Sequence, residues 1–201
     1  MIRLIPWCFD INKILYINAC CRENSRTEEL AQHLLSNLNG DIKIVDLYEE
    51  DIKSLNALTL SQRDILLRNG HTDDDSFALA RQFASADTIV IAAPYWDLLF
   101  PAVLRIYLEN ITVGSITFRY SEKGIPVGLC KADKLYYVTT SAVFIGENNF
   151  GFDYVRAIAT GFFGIGDVKF FSAEGLDIYG ADVNLIMQKA KEEILCQLRD
   201  K

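Results

Sequence analysis

The stretch that most limits the fold is Ile89-Val-Ile-Ala-Ala-Pro-Tyr-Trp-Asp97. Apolar residues run from 89 to 93 without polar alternation and stop at a proline. A strand of that kind has no solvent face and must be covered on both sides, as inside a parallel α/β sheet. Such sheets bind ligands beyond the carboxyl ends of their strands. Pro94, Tyr95, Trp96, Asp97 and Leu98 fall at that place. Their rings and backbone N–H groups suit a planar heterocycle. The competing reading is a tryptophan covering a sheet edge, with Asp97 as a plain turn residue.

The same grammar recurs along the chain. Buried strands are expected at residues 13–19, 42–47, 88–93, 134–140 and 167–173. Apolar spacings of three and four predict helices at 25–38, 101–111, 149–163 and 181–199, with a shorter one at 59–68. A helix at 73–86 carries three aspartates at its N-terminal dipole and turns Phe77, Leu79, Ala80 and Phe83 inward. Residues 115–127 read as a hairpin or loop excursion around Lys123-Gly124. Strands alternating with helices predict a doubly wound, five-stranded parallel α/β sheet with right-handed crossovers. Residues 13–201 fit one domain. Residues 1–12 read as an extra N-terminal segment, without the small-residue cleavage site of a signal peptide.

Composition removes several function classes. Half the residues are hydrophobic and 23% are charged, enough for a sizeable core. The net charge of −7 counts against nucleic acid or an anionic membrane as partner. No apolar run approaches the roughly 18 residues of a membrane span. Cysteines at 8, 20, 21, 130 and 196 show neither CxxC nor zinc spacing. They read as reduced thiols of a cytoplasmic protein, with no metal site. His33, on a helix pattern, and His71, in a polar loop, read as surface groups. No Ser-His-Asp arrangement is visible, so no side chain is assigned a covalent or acid–base role.

Two further strand ends complete the candidate site. The first strand leads into Asn18-Ala-Cys-Cys-Arg-Glu-Asn-Ser-Arg-Thr27, which lacks the glycines of dinucleotide and Walker loops. A helix N-terminus there offers N–H groups and a positive dipole to an anion. Ser25 and Thr27 add hydroxyls, and Arg22 or Arg26 adds charge. A monophosphate suits this turn better than a pyrophosphate, because bulky residues block close backbone approach. The alternative is a simple N-cap at Ser25 or Asn24, with Glu28 completing a capping box. The fourth strand ends in Thr139-Thr-Ser-Ala-Val143 on the same edge of the sheet.

Three segments carry a resemblance: Ile89 to Pro94, Gly114-Ser-Ile-Thr-Phe-Arg-Tyr-Ser-Glu-Lys-Gly124, and Gly161-Phe-Phe-Gly-Ile-Gly-Asp-Val-Lys-Phe-Phe-Ser-Ala-Glu-Gly175. With the Ser25-Arg26-Thr27 turn, they resemble the FMN-dependent NADH-azoreductase family within the flavodoxin-like quinone reductases. The likeness runs from about residue 13 to the C-terminus. It implies a flavodoxin-like sheet of order 2-1-3-4-5 with helices on both faces. It also implies FMN, a homodimer and ping-pong transfer from NADH or NADPH to quinones, azo compounds or nitroaromatics. Cofactor contacts are implied at Cys20, Ser25, Arg26 and Thr27, at Pro94 to Leu98, and at Thr140, Ser141, Ala142 and Val143. Tyr120 and Phe162 match aromatics on the substrate side, the latter from the dimer mate. The chain departs from the family where Tyr95-Trp-Asp-Leu98 replaces Met-Tyr-Asn-Phe and where Thr140-Ser-Ala-Val143 replaces Ser-Arg-Gly-Gly. Two other readings are an FMN-binding electron carrier reduced by a protein partner and a non-enzymatic α/β binding protein.

Overall fold

The structure, a computed structural model, describes residues 11–199. The first ten residues, and Cys8 with them, lie outside the described residues, so most of the expected N-terminal extension does too. Strands β1 (Lys13–Asn18), β2 (Asp41–Asp46), β3 (Thr88–Ala92), β6 (Lys134–Thr140) and β7 (Asp167–Ala173) form one sheet of order β2-β1-β3-β6-β7. Every pairing in it is parallel. Counted without the intervening hairpin, this is the expected 2-1-3-4-5. The hairpin at 115–127 is real: β4 (Phe118–Tyr120) pairs antiparallel with β5 (Pro126–Gly128).

The burial of β3 explains the absence of alternation at 88–92. All five of its residues are buried. Ile89 and Ile91 pack on one face with Phe77 and Phe83, with Leu104, Tyr107 and Leu108 of α4 (Ala102–Ile111), and with Val155 of α5 (Phe150–Ile158). Val90 and Ala92 pack on the other with Leu30 and Leu34 of α1 (Arg26–Leu35) and Ile194 of α6 (Val183–Arg199). Each such buried aliphatic side chain contributes about 1.5–3 kcal/mol. Residues one apart thus serve opposite cores, which forces the helices onto both faces.

Boundaries moved where polar side chains intervene. The helix expected at 25–38 stops at Leu35, because the Ser36 Oγ and Asn37 Nδ2 groups both donate to the His33 carbonyl at 2.8 Å. The helix expected at 73–86 is two pieces. Asp74 Oδ1 accepts from the Ser76 N–H at 3.0 Å and sets a short 3₁₀ turn over Asp75–Phe77 before α3 (Ala78–Ser85). The last turn of the expected 149–163 helix is π-type, over Ala159–Phe163. Helix α2 (Ala57–Arg68) starts two residues early, because Asn56 and Thr59 cap each other. None of its residues is buried.

Among the described residues, no helix is long and apolar enough to cross a membrane, and no cluster of three or more His, Cys, Asp or Glu could hold a metal. His71 is exposed, but His33 is only half so, and its Nε2 is buried without a partner among the described residues. The surface position expected for His33 is therefore corrected: its ring is partly enclosed.

Candidate functional site

The carboxyl ends of β1, β3, β6 and β7 enclose a cleft of about 490 Å³, within the usual range of small-molecule sites. Its lining brings together Cys20, Ser25, Arg26, Thr27, Pro94, Tyr95, Trp96, Thr140, Ser141 and Ala142. Asp97, Leu98 and Val143 belong to the same turns but stand outside the lining. Tyr120 and Phe162 lie elsewhere on this chain. Phe162 faces a groove of about 600 Å³ against α2 and α4, and that groove shares no residue with the cleft. The rings of Tyr120 and Phe162 are linked edge-on through Phe118, at 5.3 and 5.0 Å.

Ser25 is the N-cap of α1, and its Oγ accepts from the Glu28 N–H at 3.4 Å. That long bond leaves the first turn of α1 with its dipole and N–H groups aimed into the cleft. Thr27 is buried, and its Oγ1 lies 2.6 Å from Thr140 Oγ1. One hydroxyl hydrogen makes that bond, and the other remains available to an acceptor in the cleft. Arg26 pairs with Asp177 at 3.0 Å, both side chains largely exposed. Burial pushes the Cys20 thiol up to about 12, so it stays neutral beside this turn. Its Sγ is 3.8 Å from the Ala92 carbonyl.

The turn after β3 is a tight one. The Trp96 and Leu99 backbones exchange hydrogen bonds at 2.9 and 2.8 Å, with Asp97 at φ +49° and Leu98 at φ +68° between them. Positive φ at both central residues is the mark of a type I′ turn, which ordinarily calls for Asn-Gly. Asp97 is thus the turn residue of the competing reading, while the half-buried Trp96 lines the cleft. Tyr95 is fixed at both ends. Its N–H donates to the Thr140 carbonyl at 3.1 Å and its hydroxyl to the Asn148 carbonyl at 3.0 Å.

The fourth strand end keeps its turn without glycine. The carbonyls of Ser141, Ala142 and Val143 accept from the N–H groups of Leu176, Asp177 and Gly175 at 3.1, 3.0 and 3.3 Å. The positive φ needed here sits across the gap, at Gly175 with φ +76°. Leu176 and Asp177 thereby enter the cleft lining, as do Cys21, Arg22, Glu23 and Asn24. Of these, Leu176 and Asp177 had a usable sequence signal: the last parallel strand must deliver its carboxyl end to the same edge of the sheet. The Arg22 guanidinium lies over the Trp96 ring, 5.9 Å from its centroid.

Comparison with known proteins agrees with this geometry. A family model described as a flavodoxin-like fold matches residues 12–198. An FMN-dependent NADH:quinone oxidoreductase of Clostridium beijerinckii is 35% identical over 189 residues, covering 90% of this chain and 94% of that protein. A second such enzyme, from Clostridium acetobutylicum, is 36% identical, covering 91% and 98%. Among solved structures, an FMN-dependent NADH-azoreductase from Bacillus anthracis in complex with FMN superimposes with a TM-score of 0.77 at 25% identity, covering 92% of this chain and 96% of that one. With nearly its whole length matched, the chain belongs to the flavodoxin-like family, as a relative of the FMN-dependent NADH:quinone oxidoreductases.

Proposed function

We propose that this chain is an FMN-dependent NAD(P)H oxidoreductase that reduces quinones, azo compounds or nitroaromatics by a ping-pong route, as a cytoplasmic homodimer. The observation that carries the reading is one cleft lined both by an anion-suited helix N-terminus and by the aromatic residues Tyr95 and Trp96. FMN carries the matching pair of groups, a phosphate and a flat ring system.

The residues present fit that group. The α1 N-terminus, the Ser25 hydroxyl and the spare hydroxyl hydrogen of the Thr27–Thr140 pair would hold the phosphate. Arg26 can exchange Asp177 for a phosphate oxygen at small cost, since an exposed ion pair is worth at most about 1 kcal/mol. A neutral Cys20 adds no repulsion to that end. Tyr95, Trp96 and the 141–142 backbone would frame the ring system. Bound FMN would supply hydride acceptance from the nicotinamide and delivery to the planar acceptor, and the protein contributes binding, orientation and electrostatics.

The dimer reading rests on α2. Its Leu58, Leu60 and Ile65 are 67%, 46% and 48% exposed, and the grooves on either side of it, about 580 and 600 Å³, are lined mainly by apolar groups including Phe162. A helix with no buried residue is out of place on a monomer and natural in an interface. Residues 13–201 would act as one FMN-binding domain.

The test is anaerobic. Protein loaded with FMN should lose its yellow flavin absorbance on adding NADH or NADPH alone and regain it on adding a quinone. Loss of colour only when a separate reductase is added would make the chain an electron carrier. A protein that takes up no FMN at all would sink the reading.

A further inference from the structure

The cleft contains two arginines, and they are not equivalent. Arg26 stands in the first turn of α1 between the two hydroxyl residues and is paired with Asp177 at 3.0 Å. Arg22 has no ion pair among the described residues. Its guanidinium lies over the Trp96 ring, 5.9 Å from its centroid. The other acidic group near it in the lining is Glu23, which is exposed and makes no ion pair with it. A guanidinium stacked on an aromatic face is held in place while its N–H edge stays open to oxygen acceptors. On a chain of net charge −7, an unpaired cation beside the aromatic wall of a cleft is a local exception to the overall field.

We infer that Arg22 is a specificity-determining residue: it reads an anionic oxygen group, a sulfonate or carboxylate, carried on the planar acceptor that docks beside Trp96. This rests on the functional reading above and narrows its acceptor class to anionic aromatics over neutral ones of the same size. An Arg26-type role in binding the cofactor phosphate is the alternative, and the geometry disfavours it, because the Arg22 guanidinium is engaged over the Trp96 ring.

The experiment uses FMN-loaded wild type, Arg22→Gln and Arg22→Lys. Binding of redox-inert naphthalene-2-sulfonate and of neutral 2-naphthol is measured by calorimetry on the oxidised protein. KM and kcat are then measured for a sulfonated and an unsubstituted naphthoquinone. Arg22→Gln should weaken the sulfonate ligand and raise KM for the sulfonated quinone about fivefold, the upper value of an exposed ion pair. The neutral partners should shift less than twofold, kcat should hold, and Arg22→Lys should recover most of the loss. Raising the salt should erase the wild-type preference and leave Arg22→Gln unmoved. Equal effects on charged and neutral ligands, or no effect on either, would overturn the inference. Loss of FMN from Arg22→Gln would overturn it too, assigning Arg22 to the cofactor. A wild type that binds no FMN would instead be the failure of the functional reading itself.

Discussion

Leu98 is the sharpest place to test the turn that carries Trp96. Its φ of +68° lies in the left-handed region, and its side chain is 48% exposed. A non-glycine residue in that region costs about 1–2 kcal/mol, and glycine removes the cost while losing about 0.5–1 kcal/mol of extra chain entropy. Leu98→Gly should therefore be more stable than Leu98→Ala by about 0.5–1 kcal/mol. The alanine variant is the right reference, because both changes delete the same exposed side-chain atoms and only one deletes Cβ. At an ordinary right-handed site the order reverses, since glycine there is the worse residue by a similar amount. The assay is thermal unfolding of both variants without FMN, because a bound ligand would shift each midpoint by its own affinity. For a domain of this size the gap corresponds to about 1–4 °C. A glycine variant that melts below the alanine variant would refute the turn geometry.

Three other outcomes follow from single contacts. A Cβ on Gly128 would lie 2.2 Å from the Phe163 carbonyl carbon and 2.3 Å from Gly164 N, so Gly128→Ala should cost about 3 kcal/mol or more in urea unfolding. The Lys131 ammonium, 2.6 Å away, and the Lys13 N–H, 2.9 Å away, hold the Asp87 carboxyl below the usual carboxylate range. Its stabilisation is present above the unfolded carboxylate pKa and lost as pH falls through the lowered folded value. Asp87→Asn should therefore trail wild type in urea midpoint at pH 7, and the gap should close towards pH 3. Leu60→Glu with Ile65→Glu places charges on the exposed face of α2 and should give a folded monomer by light scattering. A dimer that survives both changes would place the interface elsewhere.

The parts of the fold legible beforehand were those set by burial. The unalternating run at 89–93 needed cover on two faces, and that requirement puts helices on both sides of the sheet, while the strand order was legible only through the family likeness. Strands β6 and β7 stand at the residues expected from their apolar runs. Less legible were features set by hydrogen bonds between short polar side chains, which leave no hydrophobic period. The cap at Asn56–Thr59, the 3₁₀ turn at Asp75–Phe77 and the early end of α1 are of this kind.

Within the candidate site, the three strand-end turns were readable because topology sends them to one edge. The fourth, at Gly175 to Asp177, shares that topological signal but carries no local motif, because its glycine serves a partner turn distant in sequence. The Thr27–Thr140 bond, spanning 113 positions, has no sequence signature at all. The non-equivalence of Arg22 and Arg26 became visible only once Trp96 and Asp177 were placed in space.

The central claim is that the strand-end cleft binds FMN with its phosphate at the Ser25–Thr27 turn. Titrating the FMN-free protein with FMN and with riboflavin, and following quenching of flavin fluorescence, tests it most directly. Two or more charge-assisted hydrogen bonds of about 1.5–3 kcal/mol each predict FMN binding at least a hundredfold tighter than riboflavin. Equal affinity for the two, or none for either, would contradict the account.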